Sequence, residues 1–134
     1  MKIRFRYGWY DDTRTILSYT AQGDWNWRDW HAGWRPATFN LIQHEGNVHV
    51  LLDFREQTRE QMPAGINAHF MSFGTTLSPK LSGKAVVLGL PDEALAQLMR
   101  DKDGTLETKS GRMYFAESEA DAQALFASFT EDET

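Results

Sequence analysis

The chain has 134 residues, of which 41% are hydrophobic and 25% charged, and it contains no cysteine. These values are typical of one soluble globular domain, and the missing cysteines exclude disulfides, thiolate metal sites and thiol catalysis. The formal net charge of −5, with basic residues scattered along the chain, argues against nucleic-acid binding as the main activity.

The first twenty-three residues predict a hairpin of two strands. MKIRFRYGWY, residues 1–10, alternates apolar side chains with basic ones, which is typical of a half-buried strand. The polar DDTR then predicts a turn, and TILSYTAQG predicts a second, antiparallel strand that ends at Gly23.

The next stretch, GDWNWRDWHAGW, carries four of the five tryptophans. Asn26 and Asp29 have the spacing of a capping box, so a helix is expected to begin here. A platform for bases or sugars would need rings splayed outward between basic residues, and we interpret these rings as core instead. Pro36 predicts a kink near Gly33 or two short helices in series, ending near Gly46. The apolar positions predicted on one helical face are Trp27, Trp30, Trp34, Ala37 and Leu41.

Strands and helices are predicted to alternate over the middle of the chain. NVHVLLDF predicts a buried strand that ends in Asp53, and REQTREQ predicts a charged connection. Pro63 predicts the first position of a second helix, whose apolar stripe extends to Leu77. SPKLSG predicts a loop and KAVVLGL another buried strand.

The last third completes the order β-β-α-β-α-β-α-β-α. Pro91 predicts the start of a helix with Leu95, Leu98 and Met99 inward, and DKDGTLETKSG predicts a mobile polar loop. RMYFA predicts the last strand, and Ser118 caps a final helix. We therefore expect a single α/β domain over residues 1–130, with a disordered acidic tail over 131–134.

This order resembles the STAS domain superfamily, specifically its SpoIIAA-like bacterial branch, over nearly the whole chain. The stretches that carry the resemblance are WYDDTRTILSYTAQG, DWNWRDW, VLLDF, MPAG, KAVVLGL and YFAESEADAQALF. It implies a mixed, mostly parallel sheet with helices mainly on one face, and a non-enzymatic role in signalling, partner regulation or ligand binding. It also implies a phosphorylatable serine where the helix after the third strand begins. MPAG, residues 62–65, has no serine or threonine there, and the nearest hydroxyl is that of Thr58.

No pattern in the sequence predicts catalysis. The four histidines lack metal-ligand spacing and are interpreted as unrelated. Neither a phosphate-binding glycine loop nor a serine nucleophile elbow occurs. We expect no enzyme, no cofactor and no metal.

Two non-enzymatic hypotheses on function remain open, and the least favoured third is an enzyme whose site cannot be read from one sequence. The first is a STAS-like regulatory or protein-interaction module of bacterial signalling that docks a partner near residues 53–66, because Asp53 ends a buried strand where α/β sheets bind ligands. Under the alternative, Asp53 only caps a loop and the charges after it are solvated. The second hypothesis is a carrier or sensor of an apolar small molecule or lipid between the sheet and the helix over residues 63–77. The candidate partner- or ligand-binding residues are Asp53, Arg55, Thr58, Met62, Gly65 and Phe70.

A surplus of apolar side chains supports the second hypothesis, or a homodimer contact. It comprises Met71 in addition to Ile66, Phe70, Phe73 and Leu77 on the second predicted helix. A candidate cavity lining, for which ordinary core packing is the favoured interpretation, consists of Met62, Phe70, Met71, Phe73 and Met99. The chain start lacks the pattern of a signal peptide, and no apolar run reaches the length of a membrane helix. We expect a cytoplasmic protein without membrane insertion.

Overall fold

The structure is a computed structural model and describes residues 4–39, 41, 44, 47–57, 62–73, 78 and 80–132. It is an α/β fold with a six-stranded mixed sheet and four helices within these ranges. The strands are β1 (Phe5–Trp9), β2 (Ile16–Gly23), β3 (Val48–Gln57), β4 (Leu81–Leu88), β5 (Leu106–Thr108) and β6 (Gly111–Ala116). The helices are α1 (Trp27–Phe39), α2 (Ile66–Met71), α3 (Asp92–Gln97) and α4 (Glu119–Asp132).

The sheet has the strand order β1-β2-β3-β4-β6-β5. Neighbours among β2, β3, β4 and β6 are parallel, whereas β1 and β5 are antiparallel edge strands. The parallel strands therefore follow one another across the sheet in chain order, from β2 through β3 and β4 to β6. Right-handed crossovers that progress in one direction all place their helices on the same face. This explains why α1, α2 and α3 share a face, while α4, which no strand follows, packs on the other.

The tryptophans of the first helix form the centre of the larger core, as predicted. Trp30 and Trp34 expose only 2% and 3% of their surface. Tyr19 of β2 stacks on Trp34 at 3.9 Å between ring centroids and meets Trp30 edge-on at 5.7 Å. The predicted capping box is present, because Asp29 N donates to Asn26 Oδ1 and Asn26 N donates to Asp29 Oδ2, both at 3.0 Å. The cluster is scaffold, and no stacking platform is displayed.

Pro36 does not divide this helix. The helix continues from Trp27 to Phe39 with Pro36 inside it, so the alternative of two helices in series is wrong, and the kink near Gly33 stays a prediction. Leu41 is buried beyond the helix end. Gly46, predicted near the C-cap, lies outside the described residues.

Several predicted boundaries are also wrong. The charged residues Arg55 and Glu56 belong to β3, and Leu81 begins β4 within a predicted loop. Helix α2 begins at Ile66 rather than at Pro63 and ends at Met71. A short strand, β5, lies inside the predicted mobile loop. Leu77 lies outside the described residues.

The second core lies between the sheet and α4. Phe126 and Phe129 are buried there against Leu51, Val86 and Leu88. His49 points to this face, opposite to Val48 and Val50, as strand alternation predicts. Its Nδ1 lies 2.6 Å from Ser82 Oγ. Ser118 Oγ accepts from Asp121 N at 3.2 Å, which confirms the predicted cap; α4 then continues to Asp132, two residues into the predicted tail.

Candidate functional site

Asp53 and Arg55 form a bidentate ion pair near the carboxyl end of β3. Arg55 donates from Nε to Asp53 Oδ1 at 3.0 Å and from Nη2 to Oδ2 at 2.8 Å. The main-chain N–H of Arg55 donates to the same Oδ1 at 3.0 Å. The hydrogen bond to Asp53 raises the pKa of Arg55 above its usual range, and the charge of Asp53 adds to the effect. Both oxygens of this buried carboxylate are therefore engaged.

This ion pair also connects the sheet to α4. Arg55 Nη2 lies 3.4 Å from Glu119 Oε1 in the first turn of α4. The stem of Arg55 packs so closely over Gly89 that a Cβ there would lie 2.6 Å from Arg55 Cγ. Asp53 thus orients a side chain that extends from β3 over Gly89 to α4. The predicted loop-capping role of Asp53 is wrong, because the residue lies within β3.

The other predicted site residues lie on the opposite face of the sheet or outside the described part. Met62 is 8% exposed and Phe70 fully buried in the core beneath α2. Gly65 has φ 91°, a left-handed conformation that favours glycine, and it precedes α2. Thr58 lies outside the described residues. The predicted binding residues that the structure describes therefore do not lie together at one site.

Two histidines that were interpreted as unrelated contact each other. His31 Nε2 of α1 lies 2.8 Å from His69 Nδ1 of α2. The His69 ring stacks on Trp27 at 4.4 Å between centroids. Partial burial lowers the pKa of His69, and the charge of His31 lowers it further. Within the described ranges no group of three or more potential metal ligands forms.

An apolar groove of about 470 Å³ lies between α2, β5 and the segment after α3. Met71 and Met99 flank it with 42% and 79% of their surfaces exposed, and Leu106 lies in its wall. We call it the Met71–Met99 groove. The residues around it are Asp101, Glu107, Thr108 and Lys109. It combines an apolar centre with charged surroundings.

Two hydrogen bonds from main-chain N–H groups, one to a main-chain oxygen and one to a side-chain oxygen, hold the two sides of the groove in place. Lys109 N donates to Met71 O at 2.7 Å, which joins the end of α2 to the end of β5. Met99 N donates to Asn67 Oδ1 at 2.8 Å, which fixes the segment after α3 against α2. The two methionine side chains are thus displayed from an anchored backbone.

Asp101 organises the loop at one end of the groove. Its oxygens accept from the Thr105 hydroxyl at 2.9 Å and from Arg112 Nη1 at 2.6 Å. Desolvation acts to raise the pKa of Asp101, but hydrogen bonds from Thr105, Arg112 and Asp103 lower it. The loop over residues 101–105 is therefore a hydrogen-bonded turn.

The prediction that Met99 points inward is wrong, because α3 ends early. Its C-cap, Leu98, has ψ 137°, so the chain becomes extended and Met99 leaves the helical face. Strand β5 was missed because only three residues, LET, pair with β6. The sequence does contain a strand signal here, because Leu106 and Thr108 alternate with the charged Glu107.

A second cleft, of about 330 Å³, lies at the carboxyl ends of β4 and β6. The guanidinium of Arg100 lies 5.6 Å from the centroid of the Phe115 ring in its wall. Asp92 and Glu117 also line it. The charged residues in this cleft are therefore of both signs.

Comparisons with protein-family models, curated proteins and solved structures give no match for this chain. Among the helices formed by described residues, none has the length and apolar character needed to span a membrane.

Proposed function

We propose that this chain is a STAS-like regulatory or protein-interaction module of bacterial signalling that acts without catalysis. The observation that carries the proposal is the Met71–Met99 groove, which displays two large apolar side chains on an ordered surface. The docking surface differs from the predicted one near residues 53–66, because Asp53 is engaged by Arg55 and Phe70 is in the core.

The composition of the groove suits a protein partner. Methionine side chains are flexible and polarizable, so they adapt to varied apolar surfaces. Protein interfaces commonly have an apolar centre within a polar rim, and here Asp101, Glu107 and Lys109 surround the two methionines. Covering Met99, which is 79% exposed, would remove apolar surface from water and favour the complex.

The non-enzymatic part of the proposal is supported by the state of the charged side chains. Asp53 is the buried carboxylate of the described chain, and a general acid or base needs an oxygen free to meet a substrate. Arg55 occupies both of its oxygens. The helix entry 62–65 also lacks a hydroxyl, so docking in this proposal does not depend on a phosphate at that position.

The alternative is a carrier or sensor of an apolar small molecule, and one observation favours it. A volume of about 470 Å³ lies within the range of small-molecule sites. Such sites bury most of their ligand, whereas Met99 leaves one side of this groove in water. The predicted location between the sheet and α2 is filled by Ile66, Phe70 and Phe73, each at most 1% exposed. A protein partner is therefore the better-supported occupant.

The test is selection of peptides from a phage-displayed random library against the immobilised full chain. Selected peptides are then titrated against wild type, Met99→Glu and Phe39→Glu. Phe39, 70% exposed on α1, is the matched control. We expect Met99→Glu to weaken binding at least about tenfold, because a charge would have to be buried beneath the peptide, and Phe39→Glu to have no effect.

Two outcomes would overturn the proposal. One is a selection without enriched peptides, or peptides that bind Met99→Glu as well as wild type. The other is a lipid-sized adduct in native mass spectrometry of the purified protein that is lost in Met99→Glu, which would establish the carrier.

A further inference from the structure

The imidazole pair between α1 and α2 has the separations of a metal chelate. His31 Nε2 lies 2.8 Å from His69 Nδ1, and the two ring centroids are 4.9 Å apart. Imidazole nitrogens bind divalent transition-metal ions at about 2.0–2.1 Å. Two nitrogens on neighbouring positions of one ion are therefore about 2.8–3.4 Å apart, from square-planar to tetrahedral geometry, with ring centroids about 4.5–5.2 Å apart. Both observed distances lie within these ranges.

Trp27 fixes the two helices that carry these rings. Its indole Nε1 donates to Ala64 O at 2.7 Å, just before α2, and its ring stacks on His69 with an angle of 14° between the planes. The residues next to the two histidines, Trp30 and Phe70, are buried in the same core. The core thus brings the imidazoles together, and chelation requires the rings to rotate without displacement of the helices. Such preorganisation lowers the cost of binding.

The hydrogen bond between the two rings can be exchanged for metal coordination without a change of charge. In this bond one facing nitrogen carries a hydrogen and the other accepts it, and a neutral imidazole has one such hydrogen. When that hydrogen moves through water to the other nitrogen of the same ring, both facing nitrogens present lone pairs. His31 is exposed, so water and a metal ion reach the pair from outside.

We infer that His31 and His69 bind one divalent transition-metal ion between α1 and α2. The ligands determine the class of ion, because imidazole suits copper, nickel and zinc, whereas magnesium and calcium require oxygen ligands. Within the described ranges no group of three or more ligands forms, so water completes the coordination. The two histidines are 38 residues apart in the chain, which explains why the sequence contains no metal-ligand pattern for this site.

The inference goes beyond the proposed function and does not depend on docking at the Met71–Met99 groove. The groove is lined by Met71, Met99 and residues 101–109, and neither histidine belongs to its lining. Met99→Glu should therefore bind metal as wild type does. A failure of peptide docking with retained metal binding overturns the proposed function alone.

The test is titration of the full chain, prepared without a histidine tag, with Ni²⁺ by calorimetry. We expect saturation at one ion per chain and no binding of Mg²⁺. His31→Gln and His69→Gln should each weaken Ni²⁺ binding by at least about tenfold, because the second imidazole of a chelate binds at a high effective concentration. His44→Gln is the matched control, since this histidine contacts Trp9 instead. Circular dichroism checks that each variant folds.

Zn²⁺ locates the ion on the folded chain, because it is diamagnetic and leaves the NMR signals sharp. The imidazole signals of His31 and His69 should shift together with added Zn²⁺, while those of His44 and His49 remain in place. This readout uses wild type and so does not depend on the folding of a variant.

The outcomes decide between a chelate and other binding. Weaker Ni²⁺ binding by both His31→Gln and His69→Gln, with unchanged binding by His44→Gln, supports the site. Loss in only one of the two variants shows binding to a single imidazole and overturns the chelate. An absence of saturable binding to wild type, or Zn²⁺ shifts at His44 or His49 instead, also overturns it.

Discussion

The hydroxyl of Tyr19 donates a 2.6 Å hydrogen bond to the main-chain oxygen of Trp30 and fills the space beside Gly33. Burial keeps this hydroxyl protonated by raising the pKa of Tyr19, and the charge of Asp29 adds a smaller increase. The strand and the helix therefore approach so closely that position 33 has no room for a side chain. The glycine in the tryptophan stretch serves helix–sheet packing.

The first prediction follows from this contact. Gly33→Ala should destabilise the protein by about 1–3 kcal/mol, as overpacking of a tight core does. Urea unfolding measures the loss, and Gly8→Ala is the control because a Cβ there would contact nothing within 4 Å. Adding Tyr19→Phe to Gly33→Ala should recover part of the loss, since the colliding oxygen is removed. Equal stabilities of Gly33→Ala and wild type would contradict the close approach.

The second prediction concerns the ion pair at the end of β3. Arg55→Ala should cost roughly 1–2 kcal/mol, because the buried Asp53 carboxylate loses its guanidinium partner and retains the main-chain N–H of residue 55 as a donor to Oδ1. Arg6→Ala is the control: its pair with Glu56 is exposed by 58% and 48%, so we expect at most about half a kcal/mol. Thermal or urea unfolding provides the measurement. If the two variants lose the same stability, Asp53 is not held as described.

The order of the elements could be predicted from the sequence, because it depends on local patterns. The alternation in β1, the capping box at Asn26 and the apolar run of β3 each determine an element within a few residues. The crossover rule then places three helices on one face. Boundaries were less predictable where a local signal opposed the tertiary structure. Pro36 lies inside α1, although proline usually ends a helix. The charged residue Arg55 remains in β3 because Asp53 binds it.

The groove could not be predicted because it depends on contacts between distant residues. Met71 and Met99 come from elements that the Asn67 side chain brings together. The apolar surplus around α2 was recognisable in the sequence, but its division between core and surface was not. Phe70 and Met71 are adjacent in sequence, yet the first is fully buried and the second is 42% exposed.

The third prediction concerns the pH dependence that arises from His69. Its pKa in the folded state lies below the usual 6.5, so the unfolded chain binds more protons between these two values. Stability contributed by neutral His69 is fully present above pH 6.5 and is lost as the pH falls through the folded-state pKa. His69→Gln should therefore show a smaller decrease in stability between pH 7.5 and pH 5 than wild type.

Two further measurements make this prediction specific. In an NMR titration His31→Gln should raise the pKa of His69, because a neighbouring positive charge is removed. His44→Gln changes a histidine that contacts Trp9 instead and should leave the His69 titration unchanged. A His69 pKa at or above 6.5 in wild type would contradict the predicted pH dependence.

If the Met71–Met99 groove is the docking surface, a bound peptide changes the surroundings of the exposed methionine methyl groups among the five in the chain. Protein labelled with ¹³C in the methionine methyls is titrated with a selected peptide and observed by NMR. We expect the signals of Met71 and Met99 to shift, while those of Met62 and Met113, which are 8% and 0% exposed, remain in place. Unchanged signals of Met71 and Met99 at saturating peptide would contradict it.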